Sequence, residues 1–291
     1  LVSSPYTSIS RKPDAAFYTS GTTLGSERRG CHFVPRESLY RAAFHEPFRQ
    51  ALLPDVNKIR VISLIPSPVA ASHSSLSWMV GMAVDAFADE VDWLIQANGE
   101  WARDAFDVLR AASEEEAPVL VLGTALAFLH LKEAGDEPSV TLPANSRAMV
   151  TGGFKGVRRA IGRSELYSTI TDCTGIDRNM IVNEYGMTEL LSQMYEPVLT
   201  EGIKAARRLA VPPWLSVRVL DPATLEDKPE GEQGIISFFD LANLGSVSHV
   251  LTEDLGALED GRLTVFGRVP GSEPRGCSRA MDDLMAGGGR L

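Results

Sequence analysis

The sequence predicts an α/β protein in which a mostly parallel sheet is flanked by helices and followed by a smaller β-rich subdomain. Two observations carry this reading. Short apolar runs alternate with longer amphipathic stretches through the first two-thirds of the 291 residues. After Pro212-Pro213 that rhythm gives way to short strands linked by Asp-Pro, Pro-Glu-Gly-Glu and Glu-Asp-Gly turns. Composition permits such a fold, since 44% of the residues are hydrophobic and only 23% are charged.

In chain order, residues 15–18 and 31–34 read as two short strands around a hydroxyl-rich segment. Residues 59–65 read as a buried strand ending at Pro66, and 74–87 as the helix that follows. Residues 91–96 are strand-like and 101–112 have helical spacing; 118–122 form the next strand and 125–133 the next helix. A strand at 147–150, a helix near 163–171 and a strand at 180–183 continue the alternation, which implies right-handed crossovers. Residues 217–220, 234–239 and 263–266 are the strands of the later region. The expected divisions are therefore an α/β region over 1–213, a β-rich subdomain over 214–266, and a C-terminal segment over 267–291.

Charge and cysteine usage exclude several functions. A net charge of −10 argues against a nucleic-acid surface, because phosphate backbones call for clustered Lys and Arg. No apolar run approaches the roughly 20 residues of a membrane span. The start, Leu1-Val2-Ser3-Ser4-Pro5, has neither the basic nor the apolar part of a signal peptide. Cys31, Cys173 and Cys277 are too few and too scattered for a disulfide framework or a zinc site, so reduced thiols and a cytoplasmic location are expected. The histidines show no ligand spacing.

Five short segments carry the chemistry. Tyr18-Thr19-Ser20-Gly21-Thr22-Thr23 lies between two strands, where backbone N–H groups and hydroxyls can wrap phosphate oxygens. Taken alone, a flexible hydroxyl-rich turn explains it equally well, and no Gly-Lys-Ser/Thr follows. Thr151-Gly152-Gly153-Phe154-Lys155-Gly156 is a glycine-rich turn after a strand. Asn183-Glu184-Tyr185-Gly186-Met187-Thr188-Glu189 also follows a strand, where open α/β sheets place ligand loops. Its ring suits a purine face, and its threonine and carboxylate suit a phosphate and Mg²⁺. Leu251-Thr252-Glu253-Asp254-Leu255-Gly256 is read as a tight turn that offers a carboxylate to ribose hydroxyls. Gly267-Arg268 supplies a fixed cation.

In this order the five segments resemble the adenylate-forming superfamily of acyl and aryl ligases. The wording of the glycine-rich turn, of Tyr185-Gly186-Met187-Thr188-Glu189-Leu190 and of Arg275-Gly276-Cys277-Ser278 is similar to the acyl-protein synthetase family, the LuxE type of fatty-acid–protein ligase related to phenylacetate–CoA ligases. The resemblance implies ATP and Mg²⁺ as cofactors and a carboxylic acid as substrate. It implies that Thr19, Ser20, Gly21, Thr22 and Thr23 hold the β- and γ-phosphates. Gly152 and Gly153 would run along the adenine, with Tyr185 and Gly186 on the other side. Thr188 would contact the α-phosphate, Glu189 the metal, Asp254 the ribose, and Arg268 the ribose or a phosphate. His73, Phe154 and Lys155 would line the acyl pocket, although a surface histidine explains His73 as well.

The superfamily continues past the position of Arg268 into a mobile domain of roughly 100 residues that carries a lysine assisting adenylation. Here 23 residues follow Arg268 and Lys228 is the last lysine, so that domain is expected to be absent. In its place Cys277, 14 residues from the end, matches the acyl-accepting cysteine of LuxE-type enzymes. Arg275 and Arg279 would lower its pKa from about 8.5. The implied function is activation of a fatty acid as acyl-adenylate, transfer to this thiol, and delivery to a partner such as a reductase or an acyl carrier protein. A small residue packing a tight turn also explains Cys277. The competing functions are an acyl- or aryl-CoA ligase without its C-terminal domain, and a non-catalytic acyl-binding subunit of a reductase or synthase complex.

Overall fold

The computed structural model describes residues 12–18, 30–134, 140–152, 162–202 and 207–269. Thr19 to Thr23, Gly153, Phe154, Lys155 and Cys277 lie outside the described residues. The chain begins with a hairpin of β1 (Ala15–Tyr18) and β2 (Cys31–Val34), paired antiparallel from Ala15 opposite Val34 to Tyr18 opposite Cys31. Helix α1 (Glu37–Leu52) follows, and it buries Tyr40, Phe44, Phe48 and Leu52 although Pro47 lies inside it.

Five parallel strands come next: β3 (Ile59–Ser63), β4 (Ala88–Trp93), β5 (Val119–Thr124), β6 (Arg147–Thr151) and β7 (Ile181–Tyr185). Their spatial order is β4-β3-β5-β6-β7. Helices α2 (Ser75–Phe87), α3 (Ala105–Ser113), α4 (Ala125–Ala134) and α5 (Arg163–Thr174) form the connections. Every residue of β5 and β6 is buried, which is why apolar residues follow one another in both strands instead of alternating with polar ones. Edge strand β4 exposes Asp89 and Glu90, and such charges discourage pairing with a further strand. Helix α2 starts at Ser75 because the Ser74 side chain caps it, accepting from the Ser77 N–H at 3.1 Å.

The sheet then turns antiparallel without a break. Strand β8 (Met194–Tyr195) pairs back onto β7; α6 (Val198–Glu201) leads to β9 (Leu209–Ala210) beside β8. Beyond β9 come β13 (Arg262–Arg268), β12 (His249–Glu259), β11 (Gly234–Asp240) and β10 (Leu215–Leu220), which completes an eleven-stranded sheet. The parallel half encloses a large core that includes Ile62, Leu122, Val150 and Val182, while Leu190, Met194, Ile236, Phe238 and Leu263 form a separate smaller core in the antiparallel half.

Three ion pairs inside the molecule hold chain crossings in place. Arg147, 1% exposed, reaches Asp55 at 2.5 Å and the Leu52 carbonyl at 3.0 Å, which fastens the end of α1 to the start of β6. Glu196, fully buried after β8, meets Arg207 at 2.9 Å and Arg163 at 3.2 Å. Removing Asp55 would leave the buried Arg147 guanidinium without its counter-charge, whereas the buried Glu196 has two arginines to share. No helix among the described residues is long and apolar enough to cross a membrane.

One expectation fails here. The segment around Asp254 is not a tight turn, because it lies within the eleven-residue strand β12. Ile235 faces Leu255 and Ser237 faces Leu251, so Ile236 alone stands opposite Thr252, Glu253 and Asp254. The polar, glycine-ended composition marks this bulge, not a chain reversal. Within it the Thr252 hydroxyl donates to the Ile236 carbonyl at 2.8 Å, and the Asp254 N–H donates to the same hydroxyl at 3.0 Å. Smaller differences lie at helix and strand ends: the helix expected from 101 begins at Ala105, and the strand expected over 91–96 spans Ala88–Trp93.

Candidate active site

The described parts of the site lie where β6 and β7 end and where the bulge of β12 faces them. Tyr185, the last residue of β7, donates its hydroxyl to Asp254 Oδ2 at 2.7 Å. Arg268 at the end of β13 is paired in register with Asp254, its Nε 3.6 Å from Asp254 Oδ1 and its Nη2 2.5 Å from Glu253 Oε2. The ring of Tyr185 leans against Phe238 of the smaller core, centroids 6.0 Å apart. Three residues separated by as many as 83 positions in the chain thus touch one another.

Electrostatics follow from burial. Removal from water raises the Asp254 carboxyl pKa, opposed by the Tyr185 hydroxyl and the Arg268 cation. Burial, with the Asp254 and Glu189 carboxylates nearby, raises the Tyr185 hydroxyl well above its ordinary value. Tyr185 therefore stays a hydrogen-bond donor at neutral pH, and Asp254 keeps one oxygen facing it.

Thr188 and Glu189 lie in the turn that follows, which is held from several sides. The Thr188 hydroxyl, 3% exposed, is 3.3 Å from the Ser75 hydroxyl at the start of α2. The Glu189 carbonyl accepts from Asn243 Nδ2 at 2.8 Å. Asp240, fully buried at the end of β11, accepts from the Leu191 and Ser192 N–H groups at 2.9 and 3.1 Å and from the Ser192 hydroxyl at 2.7 Å. Glu189 itself is half-buried.

Glu184 is a residue whose importance the sequence did not reveal. It is 4% exposed on β7, and its carboxylate accepts from the Thr151 hydroxyl at the end of β6. Burial pushes it up to about 7, against the lowering effect of that hydrogen bond. Its other oxygen closes the space at Gly186, where an added Cβ would stand 2.6 Å from Glu184 Oε1. Gly152, directly after Thr151, has φ of 89°, a conformation glycine adopts without strain. Glu184 thus ties together the two turns that contain Gly152 and Gly186. Its position inside a motif was visible, but its burial and partners depend on the β6–β7 pairing.

His73 stands apart from this group. It is exposed; its carbonyl accepts from the Tyr18 N–H at 3.0 Å, and its ring meets the Tyr18 ring edge-on at 4.8 Å. It is thereby placed at the end of β1, where the segment beginning at Thr19 starts. Cys31, opposite Tyr18, and Cys173 on α5 are both half-buried, and burial raises each thiol. Trp78 and Trp93 pack against the large core. Among the described residues, no cluster of three or more His, Cys, Asp or Glu side chains could hold a metal ion.

Comparison with known proteins adds the lineage. The family model described as acyl-protein synthetase, LuxE, matches residues 42–286. The long-chain-fatty-acid–luciferin-component ligase of Aliivibrio fischeri is 24% identical over 145 residues, covering 46% of this chain and 36% of the relative. The ligase of the same name from Vibrio harveyi is 32% identical over 78 residues, covering 24% of this chain and 21% of the relative. The chain thus aligns with about a third or less of these relatives' lengths. Among solved structures, ATP-bound MatB from Rhodopseudomonas palustris superposes with a TM-score of 0.61 at 17% identity, over 89% of this chain and 49% of that one. The architecture is accordingly that of the adenylate-forming enzymes, as the motif order implied. With the family model covering most of its length, this chain belongs to the LuxE acyl-protein synthetase family.

Proposed function

We propose that this chain contributes the nucleotide-binding part of an ATP-dependent ligase, which activates a fatty acid as an acyl-adenylate and passes the acyl group to a protein thiol. The contact of Tyr185, Asp254 and Arg268 carries the reading, because it assembles an aromatic face, a hydroxyl-accepting carboxylate and a cation from three separate motifs. Family membership supports the acid and the protein acceptor. In this reading Asp254 accepts from the ribose hydroxyls, Tyr185 covers the adenine, and Arg268 holds Asp254 charged and faces ribose or phosphate. Thr188 contacts the α-phosphate. Mg²⁺, bound through Glu189, would neutralise charge on the phosphates.

The first step joins a substrate carboxylate oxygen to the α-phosphorus and breaks its bond to pyrophosphate. Alignment and charge neutralisation suffice for this, and no protein base is required. In the second step the Cys277 thiolate attacks the acyl carbon, AMP leaves, and the thiol proton goes to solvent; a reductase or acyl carrier protein then takes the acyl group. The test is fatty-acid-dependent exchange of pyrophosphate into ATP by the full-length protein, followed by acyl labelling. Exchange together with hydroxylamine-sensitive label that Cys277→Ser abolishes is the expected result. Exchange with transfer to CoA that survives Cys277→Ser would instead identify an acyl-CoA ligase. Absence of both exchange and ATP binding would leave a non-catalytic subunit.

A further inference from the structure

Behind the Thr188–Glu189 turn lies a buried polar chain that none of the motifs contains. Asn243 ends the short helical turn after β11 and is fully buried. Its Nδ2 donates to the Glu189 carbonyl at 2.8 Å and lies 3.5 Å from Asp240 Oδ2. Its Oδ1 is 3.0 Å from Nε2 of His32, which is 5% exposed on β2. Because the Asn243 amide nitrogen is committed to Glu189, its oxygen must face the imidazole. His32 Nε2 therefore carries the proton and donates. Burial holds His32 neutral, with its pKa pushed down to about 4.

The chain of contacts runs from one candidate segment to another. His32 is paired with Phe17 in the β1–β2 hairpin, and the next pair, Tyr18 and Cys31, stands at the two ends of the hydroxyl-rich segment. At its other end the chain fixes the peptide plane of Glu189, hence the direction in which that carboxylate leaves the backbone. His32 and Asn243 are 211 positions apart, and Asn243 and Glu189 are 54 apart. The buried Asn243 amide is thus held at both its oxygen and its nitrogen, and a network held from both ends admits few alternative geometries.

We propose that Asn243 is a positioning residue for the Thr188–Glu189 turn, registering it against the hairpin through His32. It touches neither nucleotide nor acid, so its effect is on where Glu189 points. This inference rests on the reading of Glu189 as the metal- and phosphate-facing carboxylate. Substitution should consequently weaken Mg·ATP use and spare the acid.

The test uses the full-length protein with Mg·ATP and a long-chain fatty acid. Asn243→Ala is expected to raise the KM for Mg·ATP in pyrophosphate exchange about tenfold, with the KM for the acid within twofold of the parent. His32→Gln should give a smaller rise in the same direction, and the double variant less than the product of the two. A second readout is independent of catalysis. Amide hydrogen exchange in a peptide covering residues 186–195 should accelerate in Asn243→Ala while the α5 peptide is unchanged, and ring ¹⁵N shifts should identify the Nε2–H tautomer of His32 in the parent. If Asn243→Ala does not fold, His32→Gln carries both readouts. A parent inactive in exchange, yet with local loosening and the expected tautomer in place, would refute the reading of Glu189 while leaving the contact intact. Unchanged KM for Mg·ATP with uniformly faster amide exchange, or an Nδ1–H tautomer, would overturn the proposal.

Discussion

The two halves of the sheet position their candidate residues in different ways. In the parallel half, Gly152 and Gly186 lie just past the ends of β6 and β7, where strand direction alone delivers loops to one edge. In the antiparallel half, Asp254 stays inside β12 with Arg268 opposite it at the end of β13, and a bulge turns Asp254 toward Tyr185. At these two strands the parallel half therefore keeps the β6–β7 ladder intact and places chemistry beyond it. The antiparallel half interrupts its ladder and substitutes the Thr252 hydroxyl for the missing backbone partner. A strand end can be recognised from local pattern. A bulge acquires its meaning only from the strand it faces.

The largest expected effect breaks the connection between the halves. Asp240→Ala would leave the Leu191, Ser192 and Ala242 amides without their acceptor in a buried place. With each such loss worth about 1–3 kcal/mol, the variant should lose on the order of 3–5 kcal/mol of stability, measured as a lower denaturant midpoint at unchanged m-value. A loss below 1 kcal/mol would mean that the two halves hold together without this anchor.

Next comes the bulge itself. Asp254→Ala should lower kcat/KM for Mg·ATP in pyrophosphate exchange by about 100-fold, and Tyr185→Phe, which removes one neutral hydrogen bond, by about 5- to 10-fold. Equal effects of the two would indicate that Tyr185 acts mainly through Asp254. The acid's KM should move little in either variant.

The smallest effect concerns the strand-end side of the comparison. Glu184 has a folded pKa of about 7, above its ordinary 4.5, so the folded state holds a proton that the unfolded state has already released. Its contribution to stability is thus fully present below about 4.5 and is lost as pH rises toward 7. Glu184→Gln should remove that loss, so thermal scans between pH 4.5 and 7 should fall less steeply for the variant than for the parent. Identical slopes would place the Glu184 titration outside this window.

Much of the fold could be read locally. The strands at 15–18 and 31–34 match β1 and β2, and the helix after Pro66 begins one residue after its expected start. Helix α1 escaped notice, since its Pro47 and charged surface obscure the apolar stripe of Tyr40, Phe44 and Phe48. Of the site, the motifs around Tyr185, Thr188, Asp254 and Arg268 were visible as residue types, and the structure brings Tyr185, Asp254 and Arg268 into contact. Asn243 and His32 carried no local signal, being ordinary polar residues in apolar stretches.

By itself the sequence determined which segments become parallel strands, because apolar periodicity and turn chemistry act over a few residues. The tertiary structure alone decided that Asp254 sits in a bulge, that Glu184 is buried against the Thr151 hydroxyl, and that Asn243 joins β2 to Glu189. The physical reason is that desolvation and hydrogen-bond satisfaction depend on what arrives from elsewhere in the chain, here from as far as 211 positions away.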